Sequence, residues 1–272
     1  MSRTWKFTDH EFMALWSRIK GANLPQPFTF ISDLASHEAY VRELRRIRES
    51  WRGTEDAVRD RMAEDVLGPD LGLIVRAFDP SDHRRIEGRI RLLAVRREER
   101  GYVVKQLPGR TFEHAGGYTV TECDPLALAR LVVEELPKVD AGKNGGIKLP
   151  MPEDQEMDDS AGTSGLWDDP YGGSSSASVA AAKFESTVAT MQGTIEVFQG
   201  RSIFGPRGQI QRVLEWRDLP DDGRYVIAPS SPPIAQAADA ARFVAMINTE
   251  IATVVRAIKD ERMSQGAYDL PA

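Results

Sequence analysis

The sequence predicts an α/β protein of the α+β type. We expect a central antiparallel β-sheet from two quasi-symmetric halves, flanked by helices, with a C-terminal helical pair. Helix-period and strand-period segments alternate along the 272 residues, which suffice for one large or two small domains. The order helix, antiparallel strands, helix occurs twice. Ala127–Val132 also resembles Asp239–Val244, each at a helix beginning, which indicates an internal pseudo-repeat.

Three helices are predicted in the N-terminal part. Thr8 and Glu11 form a capping-box pattern, and the apolar residues Phe12 to Ile19 after them share one helical face. Pro25 and Pro27 favour extended backbone leading into a short strand, Phe28–Ile31. Two more helices are expected over His37–Trp51 and from Thr54 to about Leu67. The arginine-rich face of the second is interpreted as solvated, with a docking patch for acidic groups as the alternative.

A β-meander follows, and it closes on a helix that begins at Asp124–Pro125, an N-cap followed by proline. Arginines are dense in its second strand and in the hairpin after it. A solvated strand face with a charge-protected edge explains them better than nucleic-acid binding, because stacking aromatics are not interleaved. The four predicted strands are Leu71–Phe78, Arg85–Arg96, Tyr102–Leu107 and Tyr118–Glu122.

Composition divides the chain. Residues 139–179 are rich in Gly, Ser, Pro and acid, and Glu153 to Asp169 holds seven acidic side chains and no basic one. Such a segment buries too little apolar surface to order itself, so a disordered linker is predicted. The expected organisation is an N-terminal half (1–138), this linker (139–179) and a C-terminal half (180–272), with both halves in one compact domain.

The C-terminal half is predicted to be helix, β-hairpin, helix. Apolar residues from Phe184 to Phe198 step by four and three, which favours a helix from Ala180 that ends at Gly200. The hairpin pairs Gln209–Trp216 with Arg224–Ile227 through a turn in which Gly223 can take a positive φ. An extended piece, Pro232–Ala235, precedes a last helix over about Ala237–Lys259. The regularly spaced apolar residues of these two helices predict that the helices pair with each other, and simple packing of each helix on the sheet explains the spacing equally well.

Composition also excludes several classes of protein. A net charge of −6 argues against general nucleic-acid binding, and the single cysteine, Cys123, excludes an internal disulfide and suits the cytoplasm. We find no apolar run of membrane-spanning length and no signal peptide, so a cytoplasmic location is expected. No phosphate-binding loop, metal cluster or catalytic triad is visible, because the four histidines are scattered: His10, His37, His83 and His114. We therefore predict no enzyme activity, no cofactor and no metal.

Two stretches resemble the EspG family, the cytosolic chaperones of ESX (type VII) secretion in actinobacteria. One is the helix opening from Trp5 to Trp16 with the proline-rich step Leu24–Phe28 after it. The other is a Gly-Gln-Ile strand that ends near Trp216 and leads into Asp-Gly-Arg-Tyr at the next strand. The residues 139–179 are longer and more acidic than the family pattern.

The resemblance implies a chaperone that binds the PPE subunit of PE–PPE heterodimers, or another helical type VII substrate, and keeps it soluble for export. It implies a binding surface on the central sheet, the C-terminal helices and the first hairpin loop. The alternative is a structural or regulatory homodimer without chaperone activity. Carried over by element, the expected partner-binding residues are Arg96, Arg97, Arg100, Gln209, Gln211, Val213, Glu215, Tyr225, Ile251 and Val254.

Overall fold

The fold is described from a computed structural model that covers residues 3–20, 24–52, 57–151 and 176–268. The helices are α1 (Asp9–Lys20), α2 (His37–Ser50), α3 (Ala57–Leu67), α4 (Leu128–Glu134), α5 (Ser176–Ser186) and α6 (Ala240–Tyr268). The strands are β1 (Thr4–Phe7), β2 (Leu71–Phe78), β3 (Ile90–Arg97), β4 (Arg100–Pro108), β5 (Ala115–Cys123), β6 (Gly146–Lys148), β7 (Met191–Gln199), β8 (Gln211–Leu219), β9 (Gly223–Ile227) and β10 (Ile234–Ala237).

The described strands form one antiparallel sheet in the order β1-β5-β4-β3-β2-β7-β8-β9-β10-β6. The two halves of the chain meet at β2 and β7, where Leu71 lies opposite Gln199 and Phe78 opposite Gln192. On each side of this seam the sheet continues with three sequential strands. The predicted α+β class and the quasi-symmetric halves are therefore confirmed.

One face of the sheet carries the largest apolar core, which draws on both halves. Helices α4 and α6 lie on it and contact each other. Inward-facing residues of β7 and β8 such as Ile195, Leu214 and Trp216 are fully buried there against Phe243 and Ile247 of α6. The two helices begin at the stretches whose sequences resemble each other, so the pseudo-repeat places equivalent helices side by side.

The opposite face is covered in two separate places. Over the N-terminal strands, α1 and α3 bury a second core that includes stacked Phe12 and Tyr118, with ring centroids 4.1 Å apart. At the other end of the sheet α5 packs Phe184 against Tyr225 in a smaller core, with ring centroids 5.5 Å apart. The strands between these two places, β7 and β8, are left with an open outer face.

The predicted helix from Ala180 to Gly200 is wrong in its second half. Helix α5 ends at Ser186, and residues 191–199 form the central strand β7. Met191 and Ile195 are four residues apart, a spacing that puts them on one face of a helix and equally on one face of a strand. The predicted pairing of two C-terminal helices is also corrected: α6 packs against α4 and the sheet.

Three smaller differences concern extended segments. Phe28–Ile31 is irregular, because its backbone bonds to side chains of the sheet: the Thr29 N–H donates to Gln106 Oε1 at 3.0 Å. Residues 139–151 of the predicted linker pack on the sheet and include β6, which pairs with β10. Residues 152–175, with Trp167 and Tyr171, lie outside the described residues, and residues 176–179 of the predicted linker begin helix α5. The N-terminal strand β1 was not predicted; it pairs with β5.

Candidate partner-binding surface

The open face of β7 and β8 forms a continuous surface, here called the open strip. It consists of Thr194 and Glu196 on β7 and Gln211, Val213 and Glu215 on β8. Side chains alternate across a strand, so the same alternation that buries Leu214 and Trp216 turns these residues outward. The predicted division of the β8 strand into a dry face and a solvated face is confirmed by their burial.

The strip combines one exposed apolar side chain with carboxylates. Val213 is 37% exposed and lies directly opposite Glu196, while Glu215 lies opposite Thr194. Glu196 has a weak ion pair with Arg76 of β2, at 3.8 Å. No ion pair to Glu215 occurs among the described residues. The strip therefore offers an apolar contact beside an available carboxylate.

The arginines of the β3–β4 hairpin are used within the protein. Arg100 donates two hydrogen bonds to the buried carboxylate of Asp65, at 2.6 and 3.0 Å. Arg97 donates to the Gly68 carbonyl, and Arg96 Nε donates to Glu98 O at 2.9 Å. All three side chains are partly exposed, and each of them supports the hairpin through these bonds.

Two predicted binding residues are inaccessible. Tyr225 and Val254 are both 0% exposed. Tyr225 packs under α5 and its hydroxyl donates to Asp222 at 3.0 Å, while Val254 faces the sheet from α6. Ile251 is partly buried in the same core. Tyr225 and Val254 are therefore removed from the proposed surface, because a core position cannot contact a partner without unfolding its neighbours.

The structure groups only part of the predicted set. Gln209, Gln211, Val213 and Glu215 are exposed along one strand and its approach. The hairpin arginines lie at the end of the sheet where β8 begins. Strands β2 and β7 lie between β3 and β8, however, so these two strands are about 14 Å apart at the usual strand spacing. Ile251 lies on the opposite face, on α6. The strip, the hairpin and α6 are therefore three separate surfaces.

The β7 half of the strip is absent from the predicted site. The apolar spacing there predicts a helix over Thr194 and Glu196, and a helix has no register beside β8. One signal in the sequence favours a strand there, the β-branched Thr194 and Val197, and Gly193 disfavours a helix. The structure explains the glycine at position 193, because an added Cβ would lie 2.4 Å from the ring of Trp216.

Other chemistry is sparse in the parts of the chain that the structure describes. Burial raises the pKa of the Cys123 thiol to about 11, and the neighbouring Asp124 and Glu122 carboxylates add to this shift, which keeps the thiol protonated. Within residues 3–20, 24–52, 57–151 and 176–268, no group of three metal-binding side chains is found. None of the helices described is both long and apolar enough to span a bilayer.

Comparison with family models identifies one protein family. A family model described as the EspG family matches residues 8–249. Among solved structures, the fold is similar to that of the Mycobacterium tuberculosis type VII secretion system chaperone EspG5 in complex with a PE25–PPE41 dimer. The TM-score is 0.52 at 16% sequence identity, and the match covers 93% of this chain and 97% of that one. No curated protein matches the sequence.

Proposed function

The chain belongs to the EspG family, and we propose that it acts in the cytosol as a type VII secretion chaperone. Its partner would be the PPE subunit of a PE–PPE heterodimer or another helical type VII substrate, kept soluble until export. The similar fold of EspG5, solved with a PE25–PPE41 dimer, supports this partner class.

The observation that carries the proposal is the open strip. Helices cover the sheet on one face and at both ends of the other, yet β7 and β8 at its centre keep Val213 exposed. An apolar helical tip of a substrate is prone to aggregation unless another protein covers it. A flat sheet face bordered by helices can bind such a tip, and stoichiometric binding keeps it soluble without ATP hydrolysis.

The proposal is tested by co-expression with a PE–PPE pair from the same genome, followed by affinity capture of the tagged chain. We expect a complex of near-equal stoichiometry, and a larger soluble fraction of the PPE subunit than without the chain. A stable homodimer that captures no substrate would contradict the proposal and favour the structural or regulatory alternative.

The strip itself is tested by Val213→Lys. The new cation lies opposite Glu196, so the variant should fold, but it places a charge where an apolar contact is expected. Substrate affinity should fall by at least about tenfold, the effect of losing one buried apolar contact. The matched control is Leu126→Lys, at an apolar side chain that is 79% exposed and remote from the strip. Equal affinities for both variants would place the interface elsewhere.

A further inference from the structure

A small cavity of mixed polar and apolar lining opens at the end of the sheet where β3 begins and β4 ends. It measures about 20 Å³. Its lining includes Arg89, Arg91, Gln106, Thr111 and His114. A volume of this size holds about one water-sized group, so any ligand that enters it completely must be small.

Two arginines line this cavity, and neither has a carboxylate partner in the described part of the chain. Among the described residues, no Asp or Glu oxygen lies within 4.0 Å of Arg89 or Arg91. Arg91 donates to Thr29 Oγ1 at 2.8 Å, a neutral acceptor. Burial lowers the pKa of the Arg91 guanidinium, and the positive charge of Arg89 lowers it further, as expected for two cations that share a site.

The nearby carboxylates Asp33 and Asp79 pair with groups other than Arg89 and Arg91. Asp33 pairs with Arg110 at 2.6 Å and lies 3.2 Å from His114 Nε2. Asp79 pairs with Arg85 at 3.1 Å. Neither cation of the cavity therefore has a carboxylate partner among the described residues.

Arg89 also carries an unsatisfied donor. Its guanidinium lies over the rings of Phe78 and Phe112, at 5.7 and 5.6 Å, and one terminal nitrogen donates to the His83 carbonyl. Its Nε is buried and has no hydrogen-bond partner. A buried donor of this kind calls for an explanation, and a bound water or ion that accepts its hydrogen bond is one.

The remaining polar groups of the lining are already paired. Gln106 accepts from the Thr29 N–H at 3.0 Å and donates to Thr29 Oγ1 at 3.1 Å. Thr111 Oγ1 and His114 Nδ1 are hydrogen-bonded to each other at 2.6 Å. The unused hydrogen-bonding capacity therefore belongs to the arginines, which can only donate.

We infer that the cavity beside Arg89 and Arg91 binds a small monovalent anion, either chloride or the carboxylate of a short acid such as formate. The two cations supply the charge, the unpaired Nε–H of Arg89 supplies a donor, and the small volume favours chloride or one carboxylate oxygen over a bulkier oxyanion. This site is on a different part of the sheet from the open strip, and it does not depend on the proposed chaperone function.

The test is thermal unfolding of the full chain at constant ionic strength, with gluconate as the bulk anion replaced stepwise by chloride, formate or sulfate. Chloride or formate should raise Tm saturably, by roughly 2–5 °C at ten times the dissociation constant. Saturation by chloride alone would identify a halide site, and saturation by formate would identify a carboxylate site. Sulfate should give no saturable shift.

Arg89→Gln and Arg91→Gln should each abolish the saturable shift, because the glutamine amide keeps a donor but lacks the charge. Arg84→Gln is the matched control: it removes an exposed arginine from the same loop, outside the cavity lining. If the wild-type Tm changes in the same way with the concentration of every anion and does not saturate, the inference is overturned by that result alone. An identical saturable shift in Arg91→Gln would also overturn it.

Discussion

Arg100 lies in a charged hairpin that the sequence predicts to be exposed, but its side chain has a structural role. Asp65 of α3 is 5% exposed, and Arg100 and the Tyr102 hydroxyl supply its hydrogen bonds. Burial and the bond to Asp65 raise the pKa of Tyr102 to about 12, so the phenol remains a donor at neutral pH. A buried carboxylate that loses its cation is left uncompensated, which costs much more than the pair itself contributes.

Replacing Arg100 by Gln should therefore lower the free energy of unfolding by about 2 kcal/mol, less than for a fully buried pair because Arg100 is about one-third exposed. Arg96→Gln should change it by less than about 0.5 kcal/mol, since only a bond to the hairpin backbone is lost. Urea denaturation measures both. Adding Asp65→Asn to Arg100→Gln should recover part of the loss. Equal effects of Arg100→Gln and Arg96→Gln would contradict a structural role for Arg100.

At the scale of elements, the β8–β9 turn is fixed by one glycine. Gly223 has φ of 149°, and an added Cβ would lie 2.6 Å from the Ala141 carbonyl oxygen. The segment around Ala141 is held against β9 by the Arg224 N–H, which donates to Asp140 O at 2.8 Å. The turn and the start of the predicted linker are therefore packed together.

Gly223→Ala should destabilise the protein by roughly 1–3 kcal/mol, through both the positive φ and the clash with Ala141. Gly145→Ala is the matched control, because its added Cβ would meet nothing within 4 Å. Its effect should stay within about 0.5 kcal/mol. Chemical denaturation of the two variants decides the matter, and a Gly223→Ala protein as stable as wild type would refute the packing argument.

At the scale of the whole molecule, the two halves share one sheet and one core. β2 and β7 pair over eight positions at the centre of the sheet. The core on the α6 face contains Leu73 from the first half together with Trp216 and Phe243 from the second. We therefore propose that the division into an N-terminal and a C-terminal half describes the chain order and not two independent folding units.

The chain should accordingly unfold in a single cooperative transition. In scanning calorimetry the calorimetric and van't Hoff enthalpies should agree, because neither half can expose the β2–β7 seam alone without losing core contacts. Two resolved transitions, or a calorimetric enthalpy well above the van't Hoff value, would show that the halves unfold separately. Val75→Ala, at a fully buried seam position, should lower the one transition without splitting it.

Much of the fold could be predicted from local patterns. The predicted ends of strand β2 are the observed ones, and the Thr8–Glu11 capping box is present with both reciprocal bonds. Asp124 caps the 3-10 turn Pro125–Ala127, which leads directly into α4. The alternation in β8 also gave the correct outward residues of the candidate site. These features depend only on residues a few positions apart in the chain, so they can be predicted directly from the sequence.

The sequence by itself determined the α+β class, the repeat of the two halves and the outward set Gln211, Val213 and Glu215. Tertiary structure alone decided that residues 191–199 form a strand, that Tyr225 and Val254 are in the core, and that Arg100 serves Asp65. The physical reason is distance along the chain. Periodicity fixes which side chains share a face, but which faces stay open is decided by packing between segments more than a hundred residues apart.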